Sequence, residues 1–589
     1  MPTLNWIGKE AVIKHHDEVP FRLLEPVPEL SWEPGDSGDS GNLIVQGDNL
    51  HALKALLPRY IGQVKCIYID PPYNTGNEGW VYNDNVNSPQ IRKWLGEVVG
   101  KEGEMLDRHD RWLCMMYPRL MLLRQFLRDD GAIFVSIDDN ELSNLQALMD
   151  EVFGTTNKVA TIVWEKGKKG DSKLVSVTHE YIVAFARNKA FLKERNIKWR
   201  RKKPGADDVL AHYQTLRREY GDNHAKIRQE MMAWYRSMPK GDPRKSHKHY
   251  NWSDQRGLYF PDNFAGPDDG RENRPRYPII HPVTKKPCAV PSTGWRWEET
   301  TTTAALAEDP PRIHFGKDHT TIPNRKSYLF EIDEEPMLSV FYKDGRAATL
   351  EVEAILGAGS FPFPKDSEVM ADLIGMAVSP GDIVLDSFAG SGSTAHGVLR
   401  LNQQLKTPLR FILIEMDEAV ARTKTRERVR KAIDGYIPLG EKNRTPVSGL
   451  GGGFQFCRLS PEPLFLADGR IRADVTFEQL AEFVWFIETG TGMDHSSIGQ
   501  PHPSPTPYLG QHQRRAVFLL YNGILRDKSD IGGNVLNSHT LTILNEVLPD
   551  FEGPRVVYGA RSRFDKSKLA RLGLTFHQLP YELAVKTWF

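Results

Sequence analysis

Two stretches of the 589-residue chain hold residue types at spacings that chemistry can use. The first is Gly381-Asp-Ile-Val-Leu-Asp386-Ser-Phe388-Ala-Gly390-Ser-Gly392-Ser-Thr394. An apolar run enters a turn with two glycines and continues into a helical pattern. Small residues let a ligand approach the backbone closely, and the helix N-terminus favours an anionic group. Glu415 closes the next apolar run, where a carboxylate can accept hydrogen bonds from ribose hydroxyls. Such a half-site suits an adenosine-containing cofactor, a nicotinamide dinucleotide about as well as S-adenosylmethionine. The second stretch is Ile67-Tyr-Ile-Asp70-Pro71-Pro72-Tyr73-Asn-Thr-Gly76. Two prolines after an acidic residue make a stiff turn at the end of a buried strand, where α/β sites form. The turn points Asp70, the Pro71 carbonyl and the Tyr73 ring toward one small volume. Two acceptors can orient an exocyclic amino group, and a ring gives a planar base a face to stack on.

The elements that must position these residues follow an α/β pattern. Strands are expected at Leu43–Gln46, Val64–Ile69, Ala132–Ile137 and Val159–Trp164, with helices at Asn49–Leu57, Arg111–Leu127 and Glu141–Phe153. Alternation predicts a largely parallel sheet covered on both faces. It stops over 187–357 and resumes with a helix at Glu368–Val378, strands at Asp382–Leu385 and Leu409–Ile414, and helices at Ser393–Leu401 and Glu418–Ile433. The sheet is therefore expected to be built from two separated halves. Residues 1–41 read as an N-terminal arm and 435–453 as a linker. Residues 454–589 read as a smaller α/β region containing a proline-rich loop, Gln500–Gln513.

In order and content these motifs closely resemble the beta class of DNA amino-methyltransferases. Asp70-Pro71-Pro72-Tyr73 is similar to the catalytic motif of that family, and Asp386 through Gly392 to its S-adenosylmethionine loop. Gly47-Asp48-Asn49, Val135 through Glu141, His179-Glu180-Tyr181 and Phe363-Pro364-Lys365-Asp366 match further pieces. Chain length, the insert and the tail from Gly451 resemble the modification subunit of type III restriction–modification systems. The resemblance implies a Rossmann-like methyltransferase sheet in permuted motif order. It assigns 42–186 to the catalytic half, 187–357 to an inserted target-recognition domain, and 358–434 to the cofactor half. It further implies methyl transfer from S-adenosylmethionine to N6 of an extrahelical adenine, without a metal. Asp70 and the Pro71 carbonyl would hold N6, and Tyr73 would stack on the base, which must leave the duplex to be reached. Phe388, Gly390 and Gly392 would line the methionine portion, Glu415 take the ribose, and Asp48 the cofactor's adenine amino group. Lys365 is a cofactor-side candidate beside a solvated reading. The implied partners are duplex DNA, a second copy of the chain, and a restriction subunit with helicase and nuclease activity.

Composition sets the surroundings. The chain is 40% hydrophobic and 26% charged, which marks a folded globular protein. Four scattered cysteines form no zinc or disulfide pattern. The absence of a long apolar run and of a signal-peptide core predicts a cytoplasmic protein with no membrane partner, and the resemblance implies one of prokaryotic type. Basic and acidic residues balance at 76 each, but 187–256 holds 19 Lys and Arg against 8 Asp and Glu. Trp199, Tyr213, Tyr220, Trp234, Tyr235, Tyr250 and Trp252 interleave with that charge, a mixture suited to phosphate contact and base stacking. Candidate DNA contacts are Lys202, Lys203, Trp295, Arg296 and, by resemblance, Trp164. His179 reads as a core histidine, and Glu102, Glu104 and Asp107 as a solvated loop. Three alternatives stay open: cytosine-N4 methylation on the same fold, a nicotinamide-dependent dehydrogenase using the Gly390 loop, and a catalytically silent DNA-specificity subunit. Asp70 favours adenine, because the cytosine enzymes of the family more often carry Ser there.

Overall fold

A computed structural model describes residues 4–33, 40–75, 104–168, 172–270, 273–403, 405, 407–440, 445–466, 470–493, 506–524 and 527–580. The chain divides into two compact units, Met1–Trp199 with Leu338–Phe589, and Arg200–Met337. Gly76 and Glu102 lie outside the described residues, as do the side chains of Glu104 and Asp107.

The first unit is built on a ten-stranded sheet. In chain order its strands are β1 (Arg22–Pro26), β2 (Leu43–Gln46), β3 (Val64–Ile69), β4 (Leu127–Ile137), β5 (Lys158–Glu165), β6 (His179–Ala186), β7 (Val340–Tyr342), β8 (Ile383–Asp386), β9 (Arg410–Glu415) and β10 (Gln455–Pro463). In space the order is β1-β10-β2-β9-β8-β3-β4-β6-β5-β7. Every residue of β3 and β8 is buried, Lys65 and Asp386 among them, as expected of largely apolar strands covered on both faces. Ile67 lies opposite Leu385 on one side and Ile133 on the other. The two halves of the chain therefore meet at β3 and β8, which run parallel and deliver Asp70 and the glycine turn to the same edge.

Helices α1 (Asn49–Tyr60), α2 (Glu104–Phe126), α3 (Leu142–Phe153), α4 (Gly345–Leu356), α5 (Ser367–Gly375), α6 (Ser393–Asn402) and α7 (Arg426–Asp434) accompany this sheet. Asp48 caps α1 by accepting from the His51 amide at 3.0 Å. Asp366 caps α5 through two amides, at 2.9 and 3.1 Å.

Several expectations are corrected. The sheet is mixed: β6 runs antiparallel to both β4 and β5, because the chain turns straight back after β5 without a crossover helix. The N-terminal arm is structured. Its β1 pairs with β10, and buried Trp6 points its indole N–H at Cys114 Sγ, 3.3 Å away. The tail's first strand, β10, belongs to the main sheet. Within the expected loop 500–513, Tyr508–His512 is a strand paired with Arg515–Leu519; Pro501, Pro503 and Pro505 lie outside the described residues. The segment Leu338–Leu356, expected in the insert, returns to the sheet as β7 and α4.

The second unit, Arg200–Met337, pairs helices Ala206–Tyr220 and His224–Ser237 with a four-stranded sheet that includes Leu258–Asp262 and Asn324–Tyr328. Its core takes up Tyr213, Tyr235 and Tyr250. The sequence reading offered these rings for base stacking; their apolar area instead closes a small hydrophobic core. Among the described residues no helix is long and apolar enough to cross a membrane.

Placing β3 at the centre of the sheet has a measurable consequence. Ile67 is 0% exposed, so Ile67→Ala should cost about 2–5 kcal/mol of stability in urea unfolding. A loss below about 1 kcal/mol would mean that β3 does not lie between two packed layers.

Candidate active site

The Asp70–Tyr73 turn is held by residues of α2 and by Glu141 at the start of α3. Trp112, fully buried on α2, donates its indole N–H to the Pro72 carbonyl at 2.7 Å. Asn74 takes a left-handed conformation at φ 56°, which Asn tolerates better than most residues. Its amide donates to the buried Glu141 carboxylate and to the Arg108 carbonyl at 3.3 Å. Glu141 also bonds His109 at 2.6 Å and Asn144 at 2.7 Å. Prolines stiffen the turn, and this scaffold fixes its direction. Trp112 and His109 went unread in the sequence, since a core Trp and a surface His carry no signal of their own.

Lys365 departs from its expected cofactor-side role. Its ammonium is buried and lies 3.0 Å from Asp70 Oδ1 and 3.1 Å from Glu180 Oε2. It also donates to the Tyr73 hydroxyl at 2.7 Å, and that hydroxyl donates to Glu180 Oε2 at 3.1 Å. Lys166 adds a second ammonium 2.5 Å from Glu180 Oε2. Burial opposes charge here, but Asp70 and Glu180 hold the Lys365 ammonium above its ordinary pKa. Burial likewise opposes the Glu180 charge, and Lys365 and Lys166 hold that carboxyl below its usual value. Lys166 is itself lowered by burial and by Lys365. Burial, Asp70 and Glu180 push the Tyr73 phenol well up, so the ring stays neutral.

The glycine turn is stabilised by its own carboxylates. Asp386 accepts from the Phe388 amide at 2.9 Å and the Thr394 hydroxyl at 2.5 Å. Glu415 accepts from the Gly390 amide at 2.8 Å and the Asp417 amide at 2.9 Å. Gly390 and Gly392 sit at φ 50° and 82°, and a Cβ on Gly390 would stand 3.2 Å from the Phe361 ring. Asn49 ties α1 to this turn by donating to the Ser387 carbonyl at 3.2 Å, and is itself held by Arg119 at 2.5 Å. The other oxygen of Asp48 lies 3.7 Å from Arg119. Phe388 is buried in the main core. Ser393 bonds the Lys365 carbonyl at 2.9 Å, linking the turn to the segment that carries the ammonium.

These residues fit an adenosine cofactor with a cationic centre. Burial raises both Asp386 and Glu415 to about 7, so a cation or hydroxyl donors beside them would be welcome. The buried Ser387 hydroxyl has no hydrogen-bond partner among the described residues. The glycines leave the space that a close-lying ligand needs.

Of the candidate DNA contacts, two are corrected. Trp164 is 0% exposed, stacked on Phe341 with its indole N–H on the Lys343 carbonyl at 2.9 Å. Trp295, also 0% exposed, packs in a core with Phe264, Ile279 and Ile313. Lys202, Lys203 and Arg296 belong to the second unit; Lys202 and Arg296 are exposed, and Lys202 pairs with Asp207 at 2.8 Å. His179 is half-buried and bonds the Tyr181 hydroxyl at 2.8 Å.

Residues 64–426 match the DNA methylase family. The chain is 34% identical over 436 residues to the Mod subunit of the type III restriction-modification enzyme EcoP15I of Escherichia coli, covering 71% of this chain and 64% of that protein. It is 30% identical over 445 residues to the EcoPI Mod subunit of Escherichia phage P1, covering 72% and 64%. With the type II methyltransferase M.KpnI of Klebsiella pneumoniae it shares 27% identity over 397 residues, covering 66% and 84%. The aligned part thus spans about 64% of the length of the two type III relatives.

The two raised carboxyls link the site to stability. The folded state keeps their protons from the ordinary values of 3.8 and 4.5 up to about 7, so their contribution is full at low pH and is lost as pH rises through about 7. Asp386→Asn removes half of this effect. Urea unfolding from about pH 5 to about pH 8 should show the variant gaining on the wild type as pH rises. A constant offset between the two would contradict the assignment.

Proposed function

The chain belongs to the DNA methylase family, and we propose that it transfers a methyl group from S-adenosylmethionine to N6 of an extrahelical adenine in duplex DNA. The observation that carries this reading is the delivery of Asp70–Tyr73 and the Gly390 turn to one edge of the sheet by the paired strands β3 and β8. The type III relatives support a further step: that it acts as the modification subunit of a restriction–modification system. On this reading Arg200–Met337 is a target-recognition insert, the motif order is permuted, and duplex DNA, a restriction subunit and a second copy are the partners. The protein then works in a prokaryotic cytoplasm.

S-Adenosylmethionine supplies a methyl group activated by a sulfonium. Gly390 and Gly392 give it room, Glu415 takes its ribose hydroxyls, and Asp48 takes its adenine amino group. Asp70 and the Pro71 carbonyl accept from the target amine and turn its lone pair toward the methyl carbon. Tyr73, locked by Lys365 and Glu180, offers the neutral ring on which the base stacks. Alignment of the two reactants supplies most of the acceleration. Forming the N–CH3 bond would break the S–CH3 bond and release the thioether, and the cationic nitrogen would then pass its proton to the Asp70 carboxylate or to water, so Asp70 serves first as an acceptor and need not be a strong base.

The test is product identity. Duplex DNA incubated with methyl-labelled S-adenosylmethionine, digested and separated, should yield N6-methyladenine. N4-methylcytosine, or no labelled base, would overturn the proposal. Asp70→Ala should cut transfer at least about a hundredfold while calorimetric cofactor affinity stays within a few-fold, because Asp70 faces the acceptor rather than the glycine turn. Loss of cofactor affinity with normal transfer would reverse that division.

A further inference from the structure

The cluster around Lys365 contains more charge than its structural duties need. Glu180 already has Lys166 at 2.5 Å, so a second ammonium is not required to neutralise it. The Tyr73 hydroxyl would keep its bond to Glu180 at 3.1 Å if Lys365 let go. Two of the three contacts made by the Lys365 ammonium are therefore replaceable. The third, 3.0 Å to Asp70 Oδ1, sets a cationic donor directly beside the acceptor that faces the target amine.

That arrangement is the complement of one base edge. Adenine presents its amino donor next to the ring nitrogen N1, an acceptor. Resting on the proposed function, we propose that Lys365 is a base-reading residue: it donates to N1 of the extrahelical adenine while Asp70 accepts from N6. Flipped bases are commonly read along this edge. On binding, the ammonium exchanges its bond to the Tyr73 hydroxyl for one to N1. A base with a ring N–H beside a carbonyl would set donor against donor and carbonyl against carboxylate, and would leave both protein groups unpaired. Cytosine shares adenine's amino-then-nitrogen order, so Lys365 selects amino bases over keto bases and leaves ring size to other contacts.

A chemical double-mutant cycle tests this. Single-turnover methylation is measured for wild type and Lys365→Met at saturating cofactor. The target is either adenine or 1-deazaadenine, in which a C–H replaces N1. In the wild type the analogue should react roughly ten- to a hundredfold more slowly, the range for a lost hydrogen bond to a charged group. Lys365→Met should show a similar loss on adenine and then discriminate the analogue less than about twofold. A full analogue penalty in the variant, or none in the wild type, overturns the inference; a merely structural lysine gives the first of these outcomes. If Lys365→Met fails to fold, the pair Lys365→Met with Glu180→Gln removes one charge of each sign, leaves Lys166 opposite Asp70 to balance the cluster, and carries the same comparison. Wild-type enzyme that makes no N6-methyladenine on ordinary DNA would instead refute the proposed function itself.

Discussion

A single buried ammonium links the two halves of the chain at this site. Lys365 enters from the C-terminal half of the chain and meets Asp70, Tyr73 and Glu180, all from the N-terminal half. Backbone pairing of β3 with β8 brings the halves within reach, but it does not orient side chains. Burying an ion is costly unless it is paired and hydrogen-bonded, so the ammonium stays among Asp70, Glu180 and the Tyr73 hydroxyl until a ligand offers it another acceptor. The Asp70–Tyr73 turn takes part of its order from that pairing. Removing Lys365 takes the cationic partner from Asp70, whereas Glu180 keeps Lys166.

The glycine turn obeys a related constraint with opposite sign. Asp386 and Glu415 are buried among amides and a hydroxyl, without an ion-paired cation among the described residues. Burial therefore raises them to about 7. One side of the site is charge-balanced and rigid, while the other holds carboxyls poised to ionise when a cationic ligand arrives. On the proposed function, binding a sulfonium and releasing a neutral thioether would gain from such a difference.

Much of this was legible in the sequence, and the failures have physical reasons. The bounds of β3 and the two motif turns could be read because largely apolar runs, paired glycines and a Pro-Pro pair are local signals. The place of Lys365 could not, since its partners lie 185 and 292 positions away. The reversed β6 was hidden because strand direction depends on the connection, not on the strand's own pattern. Trp295 and three tyrosines of the insert were misplaced because an aromatic ring among basic residues has the same composition whether it faces a base or fills a core, and Trp164 because a motif's position does not show which way its side chain packs. Asp386 and Glu415 were correctly placed beside the turn, but spacing could not show that their oxygens bond the turn itself.

The central claim is that Lys365 and Asp70 act on each other. A double-mutant cycle of Lys365→Met, Asp70→Asn and the pair, read by urea unfolding, measures that interaction directly. The account predicts a coupling of at least about 1 kcal/mol, with the double variant losing less than the sum of the single losses. Additivity within about 0.5 kcal/mol would show that the two groups are neighbours without being partners, and would contradict it.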